Sequence, residues 1–275
     1  MSERIIRFVG VFCAAIFLAA LLPLESPAAT QVGSDVSGAP FEYFSSPGHK
    51  MLGFDIDLLK AMSIRMGPIL VINHTFDDLL AAVRRGQFGL AMSAISDNRE
   101  REKVVDFIDY FIAGGGITVR PGNPHRIFAI NALCGYSVAI EKGTSYLTDL
   151  QKQSDNCKAI GLGPIQFITY DTDDAAFDAF LGGKGDAYIA DYPVAANRLK
   201  TNPAASSLVL AGGQFDVVPY GIAVKKGNAA MQAAAKAALL SVIADGTYDL
   251  LLKKWDIEAG ALRSAPINAG TLFQK

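Results

Sequence analysis

The chain has 275 residues, enough for one large domain or two modest domains with real cores. Its formal net charge of -2 gives no electrostatic reason to bind nucleic acid or an anionic membrane surface. Charged residues make up 19% of the chain while glycine and alanine are plentiful, which favours a packed α/β protein and excludes a largely disordered one.

The N-terminal residues 1–28 are predicted to be a signal peptide. Two arginines come first, residues 8–22 are apolar but too short to span a membrane, and small residues at 26–28 precede a cleavage site near Ala28. A retained membrane anchor is the alternative. Cys13 lies in a poor lipobox, so the sequence favours export and release over lipid anchoring.

After cleavage two cysteines remain, Cys134 and Cys157, separated by 23 positions. Export places them in an oxidising compartment, where a disulfide that closes such a loop contributes about 3 kcal/mol. The alternative is a pair of buried thiols. The three histidines show no metal-ligand spacing, so no metal site is expected.

The first half of the mature chain alternates strands with helices. A strand around Val32 leads into a loop marked by Gly38 and Pro40, and loops of this kind bind ligands in α/β sheets. Hydrophobic spacing and glycine stops predict the following elements: a helix at 58–66, a strand at 69–72, a helix at 76–85 and a strand at 90–94.

The stretch that follows has the pattern of an anion site. An apolar run carries Ser93 and Ser96, after which Asp97 or Asn98 is a good N-cap for a helix of five consecutive charged residues. These hydroxyls would then lie close to the N–H groups of the helix N-terminus and to an arginine that can bind a carboxylate through two hydrogen bonds. The alternative is a solvated helix of alternating charge.

The second half continues the same alternation. Strands are predicted at 105–111, 117–120, 137–140, 165–170, 187–190 and 220–224, with helices after residues 143, 172, 191 and 228. In the last helix, at 248–255, Leu250, Leu251 and Trp255 are predicted to face the core. The βαβα order predicts an α/β fold with parallel-dominated sheets.

Two glycine-rich points indicate a division into lobes. The triple glycine at 114–116 and Gly212–Gly213 bracket about 100 residues, read as a second lobe inserted into the first. The predicted boundaries are 29–114 and 217–275 for lobe 1, and 115–216 for lobe 2.

Several segments, taken in order over nearly the whole mature chain, resemble the polar-amino-acid family (family 3) of periplasmic solute-binding proteins that serve ABC importers. They are 53–58 (GFDIDL), 93–107, 142–145 (KGTS), 185–187 (GDA), Asp191, 220–224 (YGIAV), 245–249 (DGTYD) and 253–255 (KKW). The resemblance implies a type II periplasmic-binding-protein fold with a two-strand hinge. It also implies periplasmic location through the Sec pathway, an ABC permease in the inner membrane as partner, a monomer, and no cofactor.

Carried over position by position, the resemblance implies a clamp for a zwitterion. Arg101 would pair with the α-carboxylate, which Ser93 and Ser96 would also contact, and Ser145 would reach it from the other lobe. Asp191 would take the α-ammonium. The alternatives are a surface arginine, and helix caps at Asp191 and Ser145.

The resemblance also implies a side-chain pocket. The Ala94 carbonyl would be a second acceptor for the ammonium, Phe76 would pack on the ligand side chain, and Asp35 would lie deeper, where relatives with basic ligands use an acid. Phe76 as core and Asp35 in an Asx-turn are the alternatives. Gly38 stands where many relatives have an aromatic ring, and Tyr146, a pocket residue, stands where a smaller polar group is common, so a bulkier ligand or an amino-acid derivative is compatible.

The predicted function is capture of an amino acid or its derivative between two closing lobes. The alternative is a cyclohexadienyl-dehydratase-like lyase on the same fold, with Asp35 or Glu141 as acid or base. Neither residue lies in a recognisable catalytic motif, and the sequence shows no nucleophile elbow, phosphate loop or metal cluster. A sensor domain is a third reading. We therefore expect a binder and not an enzyme.

Overall fold

The computed structural model describes residues 28–46 and 49–273, so the predicted signal peptide lies outside the described residues except for Ala28. The strands are β1 (Thr30–Ser34), β2 (Ser37–Gly38), β3 (Glu42–Phe44), β4 (Met51–Leu52), β5 (Ile69–Asn73), β6 (Leu90–Ala91), β7 (Val105–Val119), β8 (Ser137–Glu141), β9 (Gln166–Tyr170), β10 (Ala187–Asp191) and β11 (Val209–Lys225).

The helices alternate with these strands, as the sequence predicts. They are α1 (Phe54–Met66), α2 (Phe76–Arg85), α3 (Arg99–Glu102), α4 (Ser145–Ala159), α5 (Asp173–Leu181), α6 (Tyr192–Thr201), α7 (Ala229–Ala244), α8 (Thr247–Trp255) and α9 (Gly270–Phe273). The predicted N-caps are confirmed where side chains were expected to close the first turn: Asn98, Thr172 and Asn228 each accept a backbone hydrogen bond.

The fold has two lobes that share one sheet, in the order β5-β1-β6-β11-β7-β10-β8-β9 among the described strands. Parallel pairs form each outer part, β5-β1-β6 in lobe 1 and β10-β8-β9 in lobe 2. Between them β7 and β11 run antiparallel through both lobes, so these two strands are the hinge. The predicted two-lobe α/β architecture is confirmed.

The triple glycine does not end β7, contrary to the predicted break. A Cβ on Gly114 would stand 2.3 Å from the Phe215 carbonyl oxygen, and one on Gly115 would meet the Phe215 ring at 2.4 Å. The glycines therefore let β11 pass close by instead of stopping the strand. The β7–β11 register shifts between Ala211 and Val218, beside the predicted lobe boundaries, which stay predictions.

Two further expectations need correction. A small sheet of β2, β3 and β4, which local patterns did not predict, fills the loop region after β1. Leu250 is 70% exposed, whereas Tyr248 and Leu252 are buried. Because α8 begins at Thr247, its inward stripe starts at Tyr248 and recurs four residues later.

The predicted disulfide is confirmed: Cys134 and Cys157 are bonded, with Cα atoms 5.5 Å apart. It ties α4 to the segment before β8 in lobe 2, next to a core that includes Leu133 and Leu150. The bond thus stabilises the lobe away from the cleft.

Candidate ligand site

Five of the predicted site residues line a cavity between the lobes, and Arg101, Ser96, Ser145 and Ala94 lie beside it. The cavity has a volume of about 30 Å³, with room for about two water molecules. It is lined by Asp35, Ser37, Gly38, Glu42, Phe76, Ser93, Glu141, Thr144, Tyr146, Asp173, Ile189, Ala190, Asp191 and Val194. These described lining residues include five carboxyl groups and no lysine, arginine or histidine.

Arg101 lies at the edge of the cavity and reaches the other lobe. Its Nη1 donates to the Ser96 carbonyl at 2.9 Å, and its Nη2 donates to the Gly143 carbonyl at 3.0 Å. The guanidinium lies 5.5 Å from the centre of the Phe76 ring. The surface alternative is therefore wrong, because Arg101 is half-buried and bridges the lobes.

Residues 269–271 donate hydrogen bonds to carboxylates in and beside the helix that carries Arg101. Asp97 accepts from the Gly270 N–H at 2.9 Å, Asp109 from the Ala269 N–H at 3.1 Å, and Glu102 from both N–H and hydroxyl of Thr271. Burial raises the pKa of Asp97 to about 8 and that of Asp109 to about 7. We call this set of contacts the C-terminal clasp.

The predicted hydroxyl groups already have partners. Ser93 Oγ accepts from the Asp35 N–H at 3.0 Å and donates to Glu42 Oε1 at 3.1 Å. Ser145 Oγ donates across the cleft to Ser96 Oγ at 3.3 Å. Ser145 is the first residue of α4 and not its cap, since Thr144 caps that helix.

Ala94 lies beside the cavity and does not line it. Its N–H donates to Asp55 Oδ2 at 3.0 Å, and its φ is +44°. Tyr110 donates to the same carboxylate oxygen at 2.8 Å. This fixes the turn after β6, and the role of the Ala94 carbonyl stays a prediction.

Asp191, the last residue of β10, points into the cleft. The hydroxyls of Tyr146, at 2.7 Å, and Tyr220 both donate to its Oδ1, and no hydrogen bond caps α6 through its side chain. Helix capping alone therefore does not explain Asp191. Burial raises its pKa to about 6, while the tyrosine hydroxyls act in the opposite direction.

Asp35 and Phe76 meet on the lobe 1 wall. Asp35 Oδ1 accepts from Ser37 Oγ at 2.5 Å and Oδ2 accepts from the Phe76 N–H at 3.1 Å. Asp35 thus joins the loop after β1 to the start of α2. Burial raises the pKa of Asp35 to about 6, although these hydrogen bonds lower it.

Three carboxyl groups near Asp35 were not predicted as ligand residues: Glu42, Glu141 and Asp173. With Asp35 they form what we call the acid cluster. Glu141 Oε1 is buried without a hydrogen-bond partner among the described residues, whereas the Glu42 carboxyl lies against the buried Asp55 carboxyl and shares a proton with it. An acid that ends or follows a parallel strand is a usable signal, since Glu141 ends β8 and Asp173 soon follows β9.

Burial sets the protonation of this cluster. It raises the pKa of Glu141 to about 10, with Asp173 and Asp35 as further causes. It also raises the pKa of Glu42 well above its ordinary value, and Asp55 adds to this. Ionised carboxylates in so small a space repel one another, so protons or a cation must balance them.

Arg198 pairs with Asp173 behind the cavity. Its guanidinium donates to Asp173, to Asp174 at 2.9 Å and to the Ser37 carbonyl of lobe 1 at 3.0 Å. The Asp173 N–H also donates to Ser37 Oγ at 3.2 Å. Together with the contacts of Arg101, these bonds hold the lobes in contact, so the structure is a closed form.

The comparisons with known proteins agree with this geometry. The family model of bacterial extracellular solute-binding proteins, family 3, matches residues 30–258. This chain belongs to that family. The arginine-binding protein ArgT of Corynebacterium glutamicum is 32% identical over 238 residues, covering 86% of this chain and 77% of the relative.

Other members support the same conclusion. ABC transporter arginine-binding protein 1 of Escherichia coli strain K12 is 28% identical over 246 residues, 86% of this chain and 97% of the relative. The solved structure of an ancestral arginine-binding protein bound to arginine has a TM-score of 0.76 at 32% identity, covering 82% of this chain and 97% of that one. The family 3 chain is therefore a transport-associated solute binder rather than a dehydratase.

No helix in residues 28–46 and 49–273 is at once long enough and apolar enough to span a membrane.

Proposed function

We propose that this family 3 protein captures a basic amino acid, arginine first among the candidates, in the periplasm and delivers it to an ABC permease of the inner membrane. The observation that supports it is the acid cluster, which lines the cavity without a cation among the lining residues. A guanidinium or ammonium group would balance these carboxyls. Arginine-binding proteins are among the relatives of this protein, which also supports the proposal.

The two ends of such a ligand would have different partners. Arg101 and Asp191, which we call the clamp, would take the α-carboxylate and the α-ammonium, with help from Ser93, Ser96 and Ser145. Charge-assisted hydrogen bonds contribute about 1.5–3 kcal/mol each. After the costs of closure, a micromolar affinity of about -8 kcal/mol is reasonable.

Gly38 favours a long side chain. A Cβ at this position would already stand 3.2 Å from Glu42 Oε1, so glycine leaves the Glu42 carboxyl open to the cavity. An aromatic ring here would cover that carboxyl. Phe76 then remains as the one predicted stacking surface for the ligand side chain.

Ligand entry requires the lobes to separate, because the closed cavity holds only water-sized space. The ligand would replace the contacts of Arg101 with Gly143 and of Tyr146 with Asp191. Closure around the ligand would then be a hinge motion of β7 and β11, with the equilibrium shifted by the new contacts. We also propose that the protein acts as a monomer and releases its ligand chemically unchanged.

The test is a binding screen on protein stripped of ligand by unfolding and refolding. L-arginine or L-lysine at about a hundred times its Kd is expected to raise the Tm by about 5–10 °C. L-glutamine and L-glutamate serve as controls, and NMR should show the ligand intact. A shift with neutral or acidic amino acids alone, or turnover of prephenate or arogenate, would contradict the proposal.

A further inference from the structure

Glu141 differs from the other acids of the cavity. It is 8% exposed, lines the cavity, and its Oε1 has no hydrogen-bond partner among the described residues. Asp35 and Asp191, by comparison, both accept hydrogen bonds from neighbouring groups. Glu42 accepts one from Ser93 and lies against the Asp55 carboxyl. A buried carboxyl oxygen without a partner carries a desolvation cost that a ligand group can remove.

The groups that face Glu141 do not supply a free cation. Arg198 lowers the pKa of Glu141, but its guanidinium is bonded to Asp173, Asp174 and the Ser37 carbonyl. Arg101 is bonded to the Ser96 and Gly143 carbonyls. The adjacent Lys142 turns outward to Asp171 at 2.5 Å. The other titratable groups that act on Glu141 or line the same cavity are acids or a phenol: Asp35 after β1, Glu42 on β3, Asp173 on α5, Asp191 on β10, and Tyr146 on α4.

Glu141 and Asp35 also lie on opposite lobes. Asp35 follows β1 in lobe 1, whereas Glu141 ends β8 in lobe 2, and the negative charge of Asp35 raises the pKa of Glu141. A cation between them would be attracted from both sides, and only in the closed form. The far end of the ligand would thus link the lobes in the same way as the clamp does at the near end.

We propose that Glu141 is the specificity-determining residue for a cationic side chain, and that it holds a proton in the empty site which it releases when that side chain binds. This rests on the proposed function. The exchange balances: the carboxylic acid loses its proton to the buffer, and the carboxylate pairs with the ligand cation. The raised pKa of Glu141, about 10, agrees with a proton held at neutral pH.

The experiment is calorimetry at about pH 7.5, where groups with a pKa near 6 are mostly ionised already. The binding enthalpy is measured in several buffers that differ in their ionisation enthalpy. Its dependence on the buffer gives the number of protons released on binding. L-arginine is compared with L-citrulline, its uncharged isostere, on the wild type and on Glu141→Gln. Asp155→Asn, which changes an exposed acid of the same lobe on α4, is the matched control.

The wild type is expected to release about one proton with arginine and about none with citrulline. Glu141→Gln should lower the arginine-to-citrulline affinity ratio by about tenfold and lower the proton count, with citrulline affinity little changed. Glu42 also has a raised pKa, so the variant assigns the proton to one residue. Glu141→Ala replaces Glu141→Gln if the latter does not fold.

The outcomes separate the two proposals. If the wild type binds arginine but Glu141→Gln keeps both the ratio and the proton count, the role of Glu141 is wrong and the proposed function stands. If citrulline or another neutral amino acid binds more tightly than arginine to the wild type, the proposed function fails. An affinity ratio that changes equally in Asp155→Asn would also overturn the assignment to Glu141.

Discussion

The clamp and the acid cluster lie in the same cleft but differ in how many of their polar groups have hydrogen-bond partners. In the closed form both clamp residues bond to protein groups, Arg101 to two carbonyls and Asp191 to two tyrosine hydroxyls. In the acid cluster, Glu141 keeps a buried oxygen without a partner in the part of the chain that the structure describes. The clamp can therefore exchange internal bonds for ligand bonds, whereas Glu141 Oε1 gains a partner only from the ligand.

This difference separates affinity from selectivity. The clamp binds groups that every amino acid carries, so it contributes affinity and orientation to any zwitterion without distinguishing the side chains. A buried carboxyl oxygen without a partner penalises the empty site and any ligand that does not supply a cation. Three predictions test this division, beginning with the largest effect.

Removal of the clamp arginine should give the largest loss. We expect Arg101→Ala to weaken binding of every amino-acid ligand by about a hundredfold, because the α-carboxylate loses a bidentate partner inside the closed cleft. The ratio of the affinities for basic and neutral ligands should stay nearly constant. Calorimetry measures both quantities. Lys103→Ala, an exposed cation next to the same helix, is the control, and an equal loss there would refute the role of Arg101.

A substitution at Gly143, where the two lobes touch, should give an intermediate loss of ligand affinity. A Cβ on Gly143 would stand 2.5 Å from the Asp77 Cα of the other lobe, so Gly143→Ala should oppose closure and weaken all ligands by about thirtyfold. Gly122→Ala has a similar positive φ, with nothing within 4 Å of its Cβ, and controls for backbone strain. Small-angle scattering with and without ligand reports closure. Normal closure of the Gly143 variant would show that this contact is unimportant.

A fall in pH should give the smallest loss of ligand affinity. It should at the same time raise the stability of the ligand-free protein. Asp35 and Asp191 have pKa values raised to about 6, so a fall from about pH 7.5 to about 5 protonates both and weakens a basic ligand by about tenfold. Because the unfolded carboxyls titrate near 3.8, the folded state binds more protons in this window. The Tm of the ligand-free protein should therefore rise as pH falls from about 7.5 to about 5. Calorimetric scans that show binding and ligand-free stability falling together would contradict this.

Local sequence patterns predicted most elements because their causes are local. The caps at Asn98, Thr172 and Asn228, and the alternation of strands with helices, depend on residues a few positions apart. The continuity of β7 past its triple glycine depends instead on β11, about a hundred residues later. No local pattern reveals that such glycines serve close approach rather than a turn.

The same contrast applies to the site. The clamp was predicted because its residues lie in segments that resemble a known family, although the structure leaves their ligand roles as predictions. Glu42 and Asp173 were missed as pocket residues because assembly brings them there from a small sheet and from the start of α5. Glu141 was noted only as an acid for a lyase. Its burial, which no short pattern shows, makes it important for selectivity.

The C-terminal clasp has a practical consequence for experiments on this protein. Residues 269–271 donate to Asp97, Glu102 and Asp109 directly behind the short helix of Arg101. A deletion, fusion or dye that pulls those residues away would disturb the guanidinium without touching the cleft. Reporters are better attached to the exposed end of α4 near Ile160, on the far side of lobe 2.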